Sequence, residues 1–136
     1  MTDELSEPSI RVVLDVTALT AYARLTGMAV SELLAMVEEE SATSLVGVPA
    51  AHFMEAHRRL DQDERERLVD LLTRADAVVV LLPLLGVDAV EAAGLGHGMG
   101  HAVLLARRTG AYLATYDGDE ARRHLPDDGV LDLMDK

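Results

Sequence analysis

The sequence has no cysteine and no tryptophan, and only four aromatic residues, three Tyr and one Phe, among 136. Without cysteine there is no disulfide framework, no thiolate-ligated zinc and no thiol nucleophile. With so few aromatics, the core of a chain that is 49% hydrophobic must be built from Leu, Val, Ala and Met. No run approaches the roughly 18 apolar residues that a membrane span needs. The opening Met1-Thr2-Asp3-Glu4-Leu5-Ser6-Glu7 lacks the basic and then apolar order of a secretory signal, so a cytoplasmic location is expected. Positive charge is scarce as well: 12 Lys and Arg stand against 24 Asp and Glu, a net charge of −12. That balance argues against a general polyanion binder. It leaves metal-assisted phosphodiester chemistry open, because bound cations can supply the missing charge at a scissile phosphate.

What is present is an alternation of apolar segments with amphipathic ones. The length suits one domain that buries its own core, with a polar tail over residues 1–9 expected to be disordered. Residues 10–16 and 77–82 read as buried strands rich in β-branched residues. Shorter strands are expected over 44–48, 111–115 and 129–133, the last at an edge. Helices are expected over 17–26, with Thr17 as cap and Gly27 as stop, and over 29–41, 49–60, 62–75, from 89 onward with Asp88 as cap, 101–109 and 118–124. Asp61 to Glu64 has the form of a capping box. Strands alternating with helices imply an α/β three-layer sandwich, with a central, mostly parallel sheet of four to five strands flanked by helices.

In such sheets, sites form at the carboxyl ends of strands. Asp15 ends the first strand, and Asp117 and Asp119 follow the strand 111–115. Glu55 lies on the amphipathic stretch after Pro49. Carboxylates that converge repel one another unless protons or a divalent cation intervene. Each acid also has a plainer reading, Asp15 as a helix cap and Glu55 as a surface residue. The glycine-rich segment 94–100 matches neither G-x-G-x-x-G nor Walker A spacing. His97 and His101 stand four apart and would share a face if that segment is helical, but no third zinc ligand follows. The arginine groups 58–59, 65 with 67, 107–108 and 122–123 read as helix surface, or as a rim around an acidic site. The Leu and Met face of the second helix and the aliphatic face of 49–60 are candidates for a homodimer surface.

The order of these segments resembles a PIN domain, the nuclease fold of many bacterial toxins in toxin–antitoxin pairs. Val12-Val13-Leu14-Asp15-Val16-Thr17-Ala18-Leu19 is similar to that family's opening strand and its Asp-x-Ser/Thr-Ala-Leu motif. Val48-Pro49-Ala50-Ala51-His52-Phe53-Met54-Glu55-Ala56 resembles the segment with its glutamate. The run from Leu104 to Asp119 resembles its last helix, strand and Thr-x-Asp-x-Asp turn. The likeness spans about residues 10 to 133 and implies a single PIN-like domain over 10–136.

The resemblance implies a Mg²⁺- or Mn²⁺-dependent endoribonuclease of the toxin type. Asp15, Glu55 and Asp117 would be its catalytic, metal-binding acids, Asp119 would assist, and Thr17 and Thr115 would orient the carboxylates. RNA would be the substrate, with a homodimer and a small antitoxin-like protein as partners. One place departs from the pattern. The family carries a further aspartate at the start of the helix before the last strand, and counting back from Asp117 lands on Met99. No acid lies between Glu91 and Asp117. His97 or His101 could replace it as a nitrogen ligand. The alternative is a catalytically inactive PIN-like domain acting as a binding or regulatory module.

Overall fold

The structure is a computed structural model, described here for residues 8–26, 28–40, 43–73, 78–95 and 98–134. Five strands form one sheet: β1 (Ser9–Leu14), β2 (Ser44–Pro49), β3 (Val79–Leu82), β4 (Tyr112–Thr115) and β5 (Val130–Asp132), in the order β3-β2-β1-β4-β5. All four pairings are parallel, so every strand delivers its carboxyl end to the same edge. The sheet is therefore fully rather than mostly parallel. Its helices are α1 (Val16–Arg24), α2 (Ala29–Glu38), α3 (Ala50–Arg59), α4 (Gln62–Thr73), α5 (Gly86–Gly94), α6 (Gly100–Thr109) and α7 (Gly118–Ala121).

Period-two alternation along β1 sorts the core into two layers. Val12 and Leu14 face one side, with Ala18 and Leu19 of α1, Val30 and Leu34 of α2, and Leu68 and Leu71 of α4. Val13 faces the other, with Ala102, Val103 and Ala106 of α6, Leu113 and Val130. Burial on both faces explains why the central strands read as unbroken apolar runs.

Three local expectations are corrected. Asp15, not Thr17, caps α1, accepting from the Ala18 N–H. The left-handed residue ending α1 is Leu25, at φ 59°, and Gly27 lies outside the described residues. Helix α5 starts at Gly86, three residues early, because Asp88 is not its cap; its carboxylate is held by the Arg108 guanidinium of α6.

Candidate active site

Asp15 and Asp117 stand at the carboxyl ends of β1 and β4, neighbouring strands in which Leu14 pairs with Ala114. Two threonines tie them together. The Thr17 hydroxyl donates to Asp15 Oδ1 at 2.6 Å, and the Thr115 hydroxyl donates to Asp15 Oδ2 at 2.5 Å. With both protons directed at Asp15, the two hydroxyls are left as acceptors. Thr17 Oγ1 takes the Tyr116 N–H at 2.9 Å and Thr115 Oγ1 takes the Asp117 N–H at 2.8 Å. The turn after β4 is thus held to the start of α1 by side-chain bonds from both strands. Asp117 then caps α7 through the Glu120 N–H and keeps an exposed carboxylate.

Asp15 is fully buried. Burial pushes its carboxyl pKa up, and the bonds from Thr115, Thr17 and the Ala18 N–H only partly offset that. Its hydrogen-bond partners are all uncharged. A buried carboxylate supported only by neutral donors is an attractive place for a cation.

Glu55 does not join this group. It lies on α3, a third exposed, with Arg58 bound to both its oxygens and Arg59 to one, Arg59 Nε at 2.7 Å. Those guanidiniums hold its pKa at about 2. Asp119 is exposed in the first turn of α7 and makes no bond to Asp15 among the described residues. His97 lies outside the described residues. His101 points elsewhere: Nδ1 accepts from the Ala51 N–H at 3.3 Å, and Nε2 faces the Pro83 carbonyl at 3.2 Å. Gly98 stands at φ 73° and α6 begins at Gly100, so among the described residues His101 lies in the first turn of that helix.

Met99 fills the place of the absent acid with core. It is buried among Val13, Ala102, Val103 and Leu113 at the start of α6. Among the described residues, no three His, Asp or Glu side chains group closely enough to hold a metal ion. Asp15 and Asp117 are the two expected acids that neighbouring strand ends bring to one corner; Glu55 is taken up by its arginines and Met99 by the core.

Two features escaped the sequence reading. His52, buried on α3, accepts the Val16 N–H at 2.9 Å, capping α1 from another helix as His101 caps α3. No local spacing signals contacts 36 and 50 residues apart. The second is a cleft of about 290 Å³ beside the acids, lined by Thr17, Thr20, Arg24, Thr26, Arg59 and Tyr116. Arg58 and Arg59 could have been matched to Glu55 by their i+3 and i+4 spacing; Arg24 carries no such signal.

No protein-family model and no curated protein sequence matches this chain. Solved structures do. A chain of VapBC2 from Rickettsia felis, bound to a DNA fragment from their promoter, matches with a TM-score of 0.64 at 12% identity, over 92% of this chain and 97% of that one. VapC20 of Mycobacterium tuberculosis, a toxin that cleaves the sarcin-ricin loop, matches with a TM-score of 0.57 at 14% identity, over 85% and 97%. At these identities the likeness establishes the fold, which is the PIN-like α/β sandwich of the VapC toxins.

Proposed function

We propose that this chain is an endoribonuclease of the PIN toxin class, acting on RNA phosphodiesters at the Asp15–Asp117 corner. The observation that carries the reading is the pair of threonine hydroxyls holding a buried, uncompensated carboxylate beside an exposed one at adjacent strand ends. The network also caps α1 and holds the turn after β4, but a buried carboxylate with only neutral partners is an unfavourable way to do so, and this supports a functional reading. The RNA-cleaving activity of the similar VapC20 toxin supports the substrate class. Asp15 and Asp117 would hold Mg²⁺ or Mn²⁺, with Asp119 nearby on α7 and Glu55 available only on leaving its arginines. The ion, when bound, supplies an activated water and neutralises charge on the phosphodiester. Thr17 and Thr115 fix the orientation of Asp15, and Asp15 keeps the turn bearing Asp117 in place. In this reading RNA is the substrate, and a homodimer and a small antitoxin-like protein are the partners.

A second reading has its own support: Met99 packed into the core and Glu55 held by two arginines favour a PIN-fold binding module without turnover. One assay separates the two. Structured RNA is incubated with the protein in Mg²⁺ or Mn²⁺, beside Asp15→Asn. The ribonuclease reading expects metal-dependent cleavage that falls about 100-fold or more in the variant. Wild-type protein that cleaves no better than Asp15→Asn establishes the binding module instead. Size-exclusion chromatography with light scattering tests the dimer.

A further inference from the structure

Arg59 occupies two places at once. Its guanidinium is bound to Glu55, and its side chain forms one wall of the cleft next to the acids. Arg24, which also lines the cleft, donates to the Arg59 carbonyl at 3.1 Å and has no carboxylate partner among the described residues. A guanidinium has five N–H donors, and a single carbonyl bond leaves most of them, and the full charge, unmatched. The cleft therefore brings two cations together in a chain whose net charge is −12.

The remaining lining refines the ligand. Thr20 donates its proton to the Val16 and Thr17 carbonyls, and Thr26 donates to the Ala21 carbonyl. Both hydroxyls are left with acceptor lone pairs. A site of two guanidiniums and several acceptors suits a ligand that has an anion together with O–H or N–H donors. An RNA nucleotide has both, in its phosphate and in its 2′-hydroxyl and base. An acidic peptide supplies the anion, with N–H donors on its backbone and none on the acidic side chain itself.

We propose that this cleft seats a phosphate and ribose of single-stranded RNA between Arg24 and Arg59, and that Arg59 exchanges Glu55 for that phosphate. Phosphate binding and the Glu55 ion pair then compete for one guanidinium. RNA entry loosens Glu55 from its clamp at the moment substrate reaches the acids. The inference rests on the ribonuclease reading for its choice of ligand, but it is tested without cleavage.

The probe is a fluorescent ten-residue oligouridine with free 2′-hydroxyls, titrated by anisotropy in EDTA. Arg24→Gln and Arg59→Gln should each weaken binding about tenfold, as loss of a charge-assisted bond predicts. Each should also flatten the dependence of log K on log salt by about 0.7. Glu55→Gln should tighten binding about threefold to fivefold, and that gain should vanish in an Arg59→Gln background. Thermal unfolding of each variant checks that it is folded; all three residues lie at the surface, and Arg24→Lys and Arg59→Lys should restore part of the affinity. Wild-type binding by Arg24→Gln and Arg59→Gln overturns the cleft. A Glu55→Gln gain that survives without Arg59 overturns the exchange. Binding of a poly-glutamate peptide with none of the oligonucleotide overturns the RNA assignment. Oligonucleotide binding that obeys these rules, in a protein that never cleaves RNA, leaves the cleft standing and removes only the ribonuclease reading.

Discussion

The carboxyl edge of the sheet has two halves of opposite character. At the ends of β1 and β4, the Asp15 carboxylate, two threonine hydroxyls and the Tyr116 and Asp117 N–H groups form one polar network, and the exposed Asp117 carboxylate caps α7 next to it. At the ends of β2 and β3, the same edge is closed by two imidazoles bonded to backbone, while Met99, at the start of the helix that carries His101, is buried against Val13 and Leu113. The first half keeps a charge in the protein interior at a cost. The second spends its polar groups on joining helices to strands. The two halves differ in this way although the strands that carry them belong to one sheet.

The strongest way to break this contrast is through its glycines. A Cβ on Gly100 would lie 1.7 Å from the Ala92 carbonyl oxygen, backbone against backbone between α5 and α6. Gly100→Ala should cost about 3–5 kcal/mol in chemical denaturation, within the range for overpacked sites. At the polar half, a Cβ on Gly118 meets Asp132 and Arg122 side-chain atoms instead, 2.0 and 2.7 Å away. Those side chains can move, so Gly118→Ala should cost about 1–2 kcal/mol. Equal losses would show that the histidine half is not the more rigid one.

The next effect is a pH dependence. His52 is sealed from solvent and, among the described residues, its Nε2 has no hydrogen-bond partner. Burial first, and then the nearby His101, lower its pKa from 6.5 to about 4. His101 shifts in the same direction, again chiefly through burial. A base with a folded pKa below its unfolded one binds more protons when unfolded. Stability from this source is complete above pH 6.5 and falls as the pH drops toward 4, by about 3 kcal/mol for His52. Urea titrations at several pH values should show this fall, and His52→Gln should flatten it. A slope unchanged in that variant would contradict the assignment.

Asp15 gives the opposite sign. Its folded pKa is raised, so ionisation costs the native state once the pH rises above the ordinary carboxyl value of 3.8. Asp15→Asn keeps an oxygen for the α1 cap and should leave stability unchanged or raise it by about 1 kcal/mol at pH 7. A drop of several kcal/mol would mean that the carboxylate is structural. Smallest of all, Leu25 holds φ 59° while two-thirds exposed. Leu25→Gly should add about 0.5–1 kcal/mol by relieving that backbone, read from the denaturation midpoint.

Much of this was legible in the chain. Apolar runs punctuated by Pro83, Gly110 and Asp15 placed every strand to within two residues, because a sheet buried on both faces leaves continuous hydrophobic segments. Pro49 and the Asp61–Glu64 box marked the starts of α3 and α4, as local capping rules allow. The start of α5 was not legible, because Asp88 satisfies Arg108 across a helix pair and not its own N-terminus. In the site, Asp15 and Asp117 followed from strand ends and parallel pairing. The detachment of Glu55 did not, although Arg58 and Arg59 stood at helical spacing from it; i+3 and i+4 pairs are common on exposed surfaces and do not reveal that both oxygens are taken. Met99 told of a missing acid but not of its replacement by core, which depends on Val13 and Leu113 from strands far off in sequence.

The central claim is that function resides in the β1–β4 corner and not in the histidine–methionine one. It is tested most directly by manganese-dependent cleavage of one RNA by wild-type protein, Asp117→Asn and Met99→Leu. Asp117 is exposed and Met99→Leu nearly conserves volume, so both variants should fold. The account predicts about a 100-fold loss or more for Asp117→Asn and a rate within about twofold of wild type for Met99→Leu. Cleavage by Asp117→Asn at the wild-type rate, or its loss in Met99→Leu alone, would contradict it.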